Sequence, residues 1–211
     1  MTPINKQFVL LPSDIALTKE GLHYKDLLTY ITIRSFLNSK NDLCMPSYES
    51  IADRSGMSKK FIGQSIIRLE RAGYLKVERS QKRRASNRYS FRDHECFCQI
   101  PYEFFEIDDL TANEKAMLLG VRECFDSTNL EFFVGDLANA ALMLDVTYRT
   151  VYVQFKSLID KGYIEKVTIP YKSGGERKVT RLTSKINWHY HRDIKPEKLG
   201  GDQDSSNLIF K

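Results

Sequence analysis

The side chains of this sequence best suited to chemistry with a partner are cations set close together. In "ERSQKRRASNRYSF" Arg79, Lys82, Arg83, Arg84 and Arg88 crowd one short stretch between two runs of strand-forming residues. Charges so placed suit neutralisation of a polyanion, because each phosphate they contact releases a condensed counterion. Just upstream, Lys59, Lys60, Gln64 and Arg68 fall on one side of a helical pattern, and their types can hydrogen-bond base edges in a groove. A second set of the same kind follows, with Tyr148, Arg149 and Tyr152 on a helical pattern and then Lys172, Arg177, Lys178 and Arg181 around Gly174-Gly175. Both sets read as base readers on a helix followed by backbone clamps on a hairpin.

Other chemistries find less support. Cys44, Cys96, Cys98 and Cys124 form no C-x-x-C pair and read as free thiols. His94, Cys96 and Cys98 alternate as one face of a strand would, yet no fourth ligand sits at a usual spacing, so neither a metal nor a cofactor is expected. His189 and His191 flank Tyr190 beside Trp188 and read as aromatic packing. No phosphate-binding G-x-x-x-x-G-K-[ST], no G-x-S-x-G and no H-E-x-x-H occurs, and the acidic residues show no two-metal spacing. The expectation is a protein that is not an enzyme.

Charge is segregated along the chain. Residues 54–92 carry 12 Lys/Arg against 2 Asp/Glu, and residues 93–145 reverse this to 2 against 12. The remainder turns basic again. Two basic blocks around an acidic one suggest two surfaces facing a polyanion, with the acidic block on the side turned away. No run approaches the roughly 18 apolar residues of a membrane span, and the start lacks a signal-peptide pattern. The expected setting is the cytoplasm, with no membrane partner.

These side chains need elements to aim them, and the chain supplies a similar set twice. "FVLLPSDIAL" and "FCQIPYEFFE" correspond at an offset of 89 residues, Pro12 matching Pro101, and Leu69-x3-Gly73-Tyr74 matches Leu158-x3-Gly162-Tyr163. Each copy reads as an extended lead-in, then a first helix, Tyr24 to about Asn38 or Thr111 to about Asp126. A second helix in copy one starts after Pro46 at the N-cap Ser47 and ends at Gly56. A third runs from Ser58 to about Ala72 before a two-stranded hairpin. Copy two, with "LDVT" at the turn, suggests about three extra residues between Ala138 and Val146. Ile62, Ile66 and Leu69, and likewise Val151, Phe155 and Leu158, make the buried stripes of the third helices. The fold class expected is α+β, mainly α: tandem winged helix-turn-helix domains, each of three helices plus a β-hairpin wing. The boundaries read as 1–92, 93–192 and a flexible tail, 193–211, ending in the apolar tip Leu208, Ile209 and Phe210.

Pro46, Ser47, Ala52, Gly56, Ser58, Leu69, Gly73, Tyr74, Asn87 and Tyr89 together carry a resemblance. With them the first copy resembles the helix-turn-helix domains of phage and plasmid replication proteins and regulators. The paired arrangement is similar to tandem winged-helix replication initiators. The resemblance implies sequence-specific binding of double-stranded DNA, and replication initiation for a mobile element in the cytoplasm of a bacterial cell or a phage-infected bacterium. The competing roles are a transcriptional regulator at a promoter, usually a homodimer, and a winged-helix adaptor that binds protein. The partners implied are DNA and the replication or transcription machinery.

Overall fold

The protein's structure, a computed structural model, describes residues 8–13, 15, 17–38, 40–82, 85–93, 97–122, 131–132, 137–171, 175–186 and 188. The first half runs β1 (Phe8–Pro12), α1 (Leu17–Glu20), α2 (Lys25–Arg34), α3 (Tyr48–Ser55), α4 (Lys59–Arg71), β2 (Leu75–Glu78) and β3 (Arg88–Phe91). The second runs β4 (Phe97–Pro101), a 3-10 turn (Tyr102–Phe105), α5 (Ala112–Arg122), β5 (Glu131–Phe132), α6 (Leu137–Leu144), α7 (Tyr148–Asp160), β6 (Ile164–Tyr171) and β7 (Gly175–Leu182). Strands β2 and β3 form one antiparallel hairpin, while β5, β7 and β6 form a three-stranded sheet in that order.

Local chemistry explains where the helices begin and stop. Ser47 accepts from the Ser50 N–H at 3.0 Å and opens α3, and Gly56, at φ 71°, closes it in the left-handed region. Ser58 accepts from the Phe61 N–H at 3.2 Å and opens α4. In the second half Thr111 and Glu114 exchange bonds between each side chain and the other's N–H, a reciprocal cap on α5. Helix α2 ends at Arg34, short of the expected Asn38. There the Ser35 hydroxyl donates to the Thr32 carbonyl, and Phe36 and Leu37 tighten into i to i+3 bonds.

The expected insertion in the second copy is absent. Helices α3 and α6, like α4 and α7, keep the 89-residue offset, so Asp145 stands where Gly56 stands and Thr147 where Ser58 stands. Asp145 takes φ 51°, a conformation its short polar side chain tolerates, and Thr147 accepts from the Thr150 N–H at 3.2 Å. "LDVT" is therefore a chemical equivalent of "SGMS", with no change of length.

The lead-in strands do not serve their own halves separately. They pair antiparallel with each other, Phe8 opposite Pro101, Leu10 opposite Gln99 and Pro12 opposite Phe97. Since Phe8 corresponds to Phe97 and Pro12 to Pro101, this register exchanges equivalent residues about the Leu10–Gln99 pair. That is the signature of a pseudo-twofold axis, the isologous relation of a dimer built into one chain. Helix α2 packs on α5, and α2 is buried from Asp26 through Ile33, as a helix at the centre of a molecule must be. Contacts repeat across the axis. A Cβ on Gly56 would lie 3.8 Å from the Ala112 Cβ, while His23, whose pKa burial and Lys25 lower, feels the charge of Asp145; residues 23 and 112 are 89 apart. Likewise α1 packs on α6, and the 3-10 turn reaches α3, where Arg54 donates to the Tyr102 hydroxyl at 3.0 Å. One apolar core runs through both halves.

Candidate nucleic-acid interface

The third helix of each half is anchored on one side and bare on the other. In α4, Ile62, Ile66 and Leu69 are buried, and Lys59, Lys60, Gln64 and Ile67 are exposed. Lys59 bonds Glu49 at 2.7 Å, and that contact lowers the pKa of the Glu49 carboxyl. Both side chains are exposed, so the pair holds Lys59 weakly and a phosphate can displace Glu49. Lys60 and Gln64 project nearby into solvent.

Arg68 differs from the rest of the expected reading set. Its Nε and Nη2 donate to the two carboxylate oxygens of Asp26 at 2.7 Å each, and Asp26 is fully buried. Asp26 also accepts from the His23 N–H at 2.9 Å. The bond of Arg68 to a buried carboxylate takes two of the five guanidinium N–H donors and fixes α4 against α2. It sets the direction of the exposed face of α4.

The hairpin that follows is tied to the same helix. Arg79 bonds Glu70 of α4 through both of its Nη atoms, so it links hairpin to helix while remaining largely exposed. Arg88 sits 3.9 Å from Glu78 across the strand pair, and Lys82 is exposed near the tip. Ser80 donates its N–H to the Asn87 side chain at 3.2 Å and closes the strands above the loop. Arg83 and Arg84 lie outside the described residues. Tyr89 is buried and donates its N–H to the Cys44 carbonyl at 2.9 Å, which ties the hairpin to the segment before α3. Burial pushes both the Tyr89 hydroxyl and the Cys44 thiol up to about 12, so Cys44 is an inert packing group.

The second half repeats the plan with other side chains. Helix α7 buries Val151, Phe155 and Leu158 and exposes Tyr148, Arg149, Tyr152, Val153 and Lys156. The Tyr148 and Tyr152 rings stack with centroids 6.3 Å apart and planes 19° from parallel. The helix is latched to α5 by Glu114, which takes bonds from Ser157 and Lys161. Burial raises the Glu114 pKa, but the bonds from Lys161, Ser157 and Thr111 outweigh it and hold the carboxyl at about 2. Asp109 takes bonds from Tyr163 and Lys185. Part of the acidic block thus works as internal fastening.

Of the expected second set of clamps, Lys178 is exposed on β7 opposite Thr168, and Arg181 lies opposite Glu165, 3.8 Å from its carboxylate. Arg177 lies in β7 opposite Ile169, and Lys172 falls outside the described residues. A groove of about 480 Å³ opens between α7 and this hairpin, lined among others by Tyr148, Tyr152, Lys156, Lys166 and Lys178. Lys166 was not expected there. Its one signal is a lysine at a strand position where the first half has Val77. Among the described residues no group of three His, Cys, Asp or Glu could hold a metal ion, while His94, Cys96, His189 and His191 lie outside them. No helix among the described residues is long and apolar enough to cross a membrane.

Residues 20–75, from the end of α1 to the start of β2, match the family model of a helix-turn-helix domain. No curated protein and no solved structure matches the chain. The first half therefore carries a helix-turn-helix domain, whose second helix of the motif is α4.

Proposed function

We propose that the chain is a non-enzymatic, sequence-specific double-stranded DNA-binding protein built from two winged helix-turn-helix units. Its role is that of an initiator-like replication protein of a phage, plasmid or other mobile element. The observation that carries the reading is the matched helix-turn-helix segment with Lys59, Lys60 and Gln64 bare on the outer face of α4. In such a motif this helix enters the major groove, and Gln64 suits the donor and acceptor edge of an adenine. The hairpin beside it, with Arg79, Lys82, Arg83, Arg84 and Arg88, would lie along the phosphates. Tyr148, Arg149 and Tyr152, with Lys172, Arg177, Lys178 and Arg181, make a second DNA-facing surface on the same molecule.

The two units are related by a pseudo-twofold but carry different side chains on α4 and α7, so the site the molecule selects should be asymmetric. The test is selection of bound fragments from a random duplex library at about 150 mM salt. An asymmetric motif that recurs within a replication origin supports the initiator. A perfect palindrome points to a dimeric regulator of transcription, and no enrichment overturns sequence-specific binding.

A further inference from the structure

The two halves serve as controls for each other, and they differ most between the third helix and its hairpin. In the first half the cross-strand pair Val77 and Tyr89 is buried, 8% and 1% exposed, and α4 packs on the strand that carries Val77. Register identifies the counterpart. Leu75–Phe91 corresponds to Ile164–Leu182, so the next pair on the same face, Val77–Tyr89, corresponds to Lys166–Thr180. A valine and a tyrosine are replaced by a lysine and a threonine, and the next pair on that face brings Lys178. The space stays open, at about 480 Å³, a size usual for ligand clefts.

The opposite wall is aromatic. Tyr148 and Tyr152 are 52% and 50% exposed, with their rings held nearly parallel one helical turn apart. Lys156 lies one turn further along, and none of Lys156, Lys166 and Lys178 has an ion-pair partner among the described residues. Three like charges around open ring faces repel one another and do nothing for folding, but they suit a ligand that is both flat and anionic. Successive bases of a single strand stack on aromatic side chains while its phosphates follow cations. In a duplex the base faces are already covered by their neighbours, so only an unpaired strand can use the tyrosine faces.

We propose that the groove between α7 and the β6–β7 hairpin binds single-stranded DNA, with a base stacked on Tyr148 and Tyr152 and its phosphates on Lys156, Lys166 and Lys178. This goes beyond duplex binding by α4 and stands without it.

The test uses the full chain, a labelled twelve-residue oligo-dT strand and a labelled duplex selected by the wild type, both followed by fluorescence anisotropy. If no duplex is selected, a mixed-sequence duplex replaces it. Tyr148→Ala and Tyr152→Ala should each weaken oligo-dT binding roughly 5- to 100-fold, the loss expected from one stacked base, without lowering its salt dependence. Tyr152→Phe should bind as the wild type does, and Lys166→Ala should reduce the salt dependence. Gln64→Ala should leave oligo-dT binding unchanged, so failure of the α4 reading and failure of this one are told apart. Because both tyrosines are half exposed, the variants should keep the wild-type melting temperature. The proposal is overturned if the double tyrosine variant holds oligo-dT as tightly as the wild type. Equal losses for duplex and single strand would make α7 a duplex surface and also overturn it. So would displacement of oligo-dT by a polyglutamate of the same length at equal concentration, since charge alone would then suffice.

Discussion

Gln64 and Arg68 stand one turn apart on α4, and the structure divides their work. Arg68 is bound to a fully buried carboxylate, so Arg68→Ala would strand the Asp26 charge and should cost about 3 kcal/mol in urea unfolding. Under conditions in which the variant stays folded, its base preference should not change. Gln64 is exposed, so Gln64→Ala should shift stability by less than about 0.5 kcal/mol. It should change discrimination at particular base pairs by roughly 1–3 kcal/mol, read as altered enrichment in the selected library. The opposite pattern would keep Arg68 in the reading set. Glu114 gives a pH-dependent counterpart in the second half. Its folded pKa of about 2 lies below the ordinary carboxyl value, so the latch stabilises the fold fully above about pH 5. That contribution fades as pH falls toward 2. Glu114→Gln should therefore lower stability by about 2 kcal/mol at pH 7, and the gap between variant and wild type should close through that window in urea titrations.

At the level of elements, the helix ends were legible because their caps are local chemistry. Ser47, Gly56 and Ser58 stand where the sequence places them. The turn before α7 was misread because an aspartate in the left-handed region carries no glycine flag. The two turns now make a matched prediction. Gly56→Ala should cost about 1 kcal/mol, since alanine at φ 71° is strained whatever the space, whereas Asp145→Gly should be neutral or mildly stabilising. Thermal melts of both variants decide this, and equal losses would mean that the Asp145 side chain itself holds the turn. The groove beside α7 was not legible, for a different reason. A lysine in a strand reads as solvent-facing until the register shows that it occupies the place of a buried valine. The hairpin cations make their own test, since Arg83→Ala with Arg84→Ala should weaken binding to every duplex alike and lower the salt slope by about 2. Loss confined to one sequence would mean that they read bases.

At the level of the whole molecule, the repeat could be read from the sequence but its consequence could not. Nothing in "FVLLP" or "FCQIP" says which edge each strand will take, and a lead-in strand pairing within its own half fits the same alternation. The observed pairing removes that independence: β1 has its partner in the second half, and the buried α2 is covered in part by α5. A chain cut after residue 92 would lose both, exposing the inner face of α2 and the open edge of β1. The pseudo-twofold supplies a way to repair the loss. Two copies of residues 1–92 could pair β1 with β1 about Leu10, Phe8 of one opposite Pro12 of the other, as Phe8 now faces Pro101. The fragment should therefore sediment as a dimer at about 10–100 µM, a span in which weak homodimers form, and lose its helical signal on dilution as the dimer dissociates. A folded, stable monomer of 1–92 would show that the two units are independent beads on a chain. The dimer would show instead that the two halves fold only against each other, so that α4 and α7 are held in one fixed arrangement.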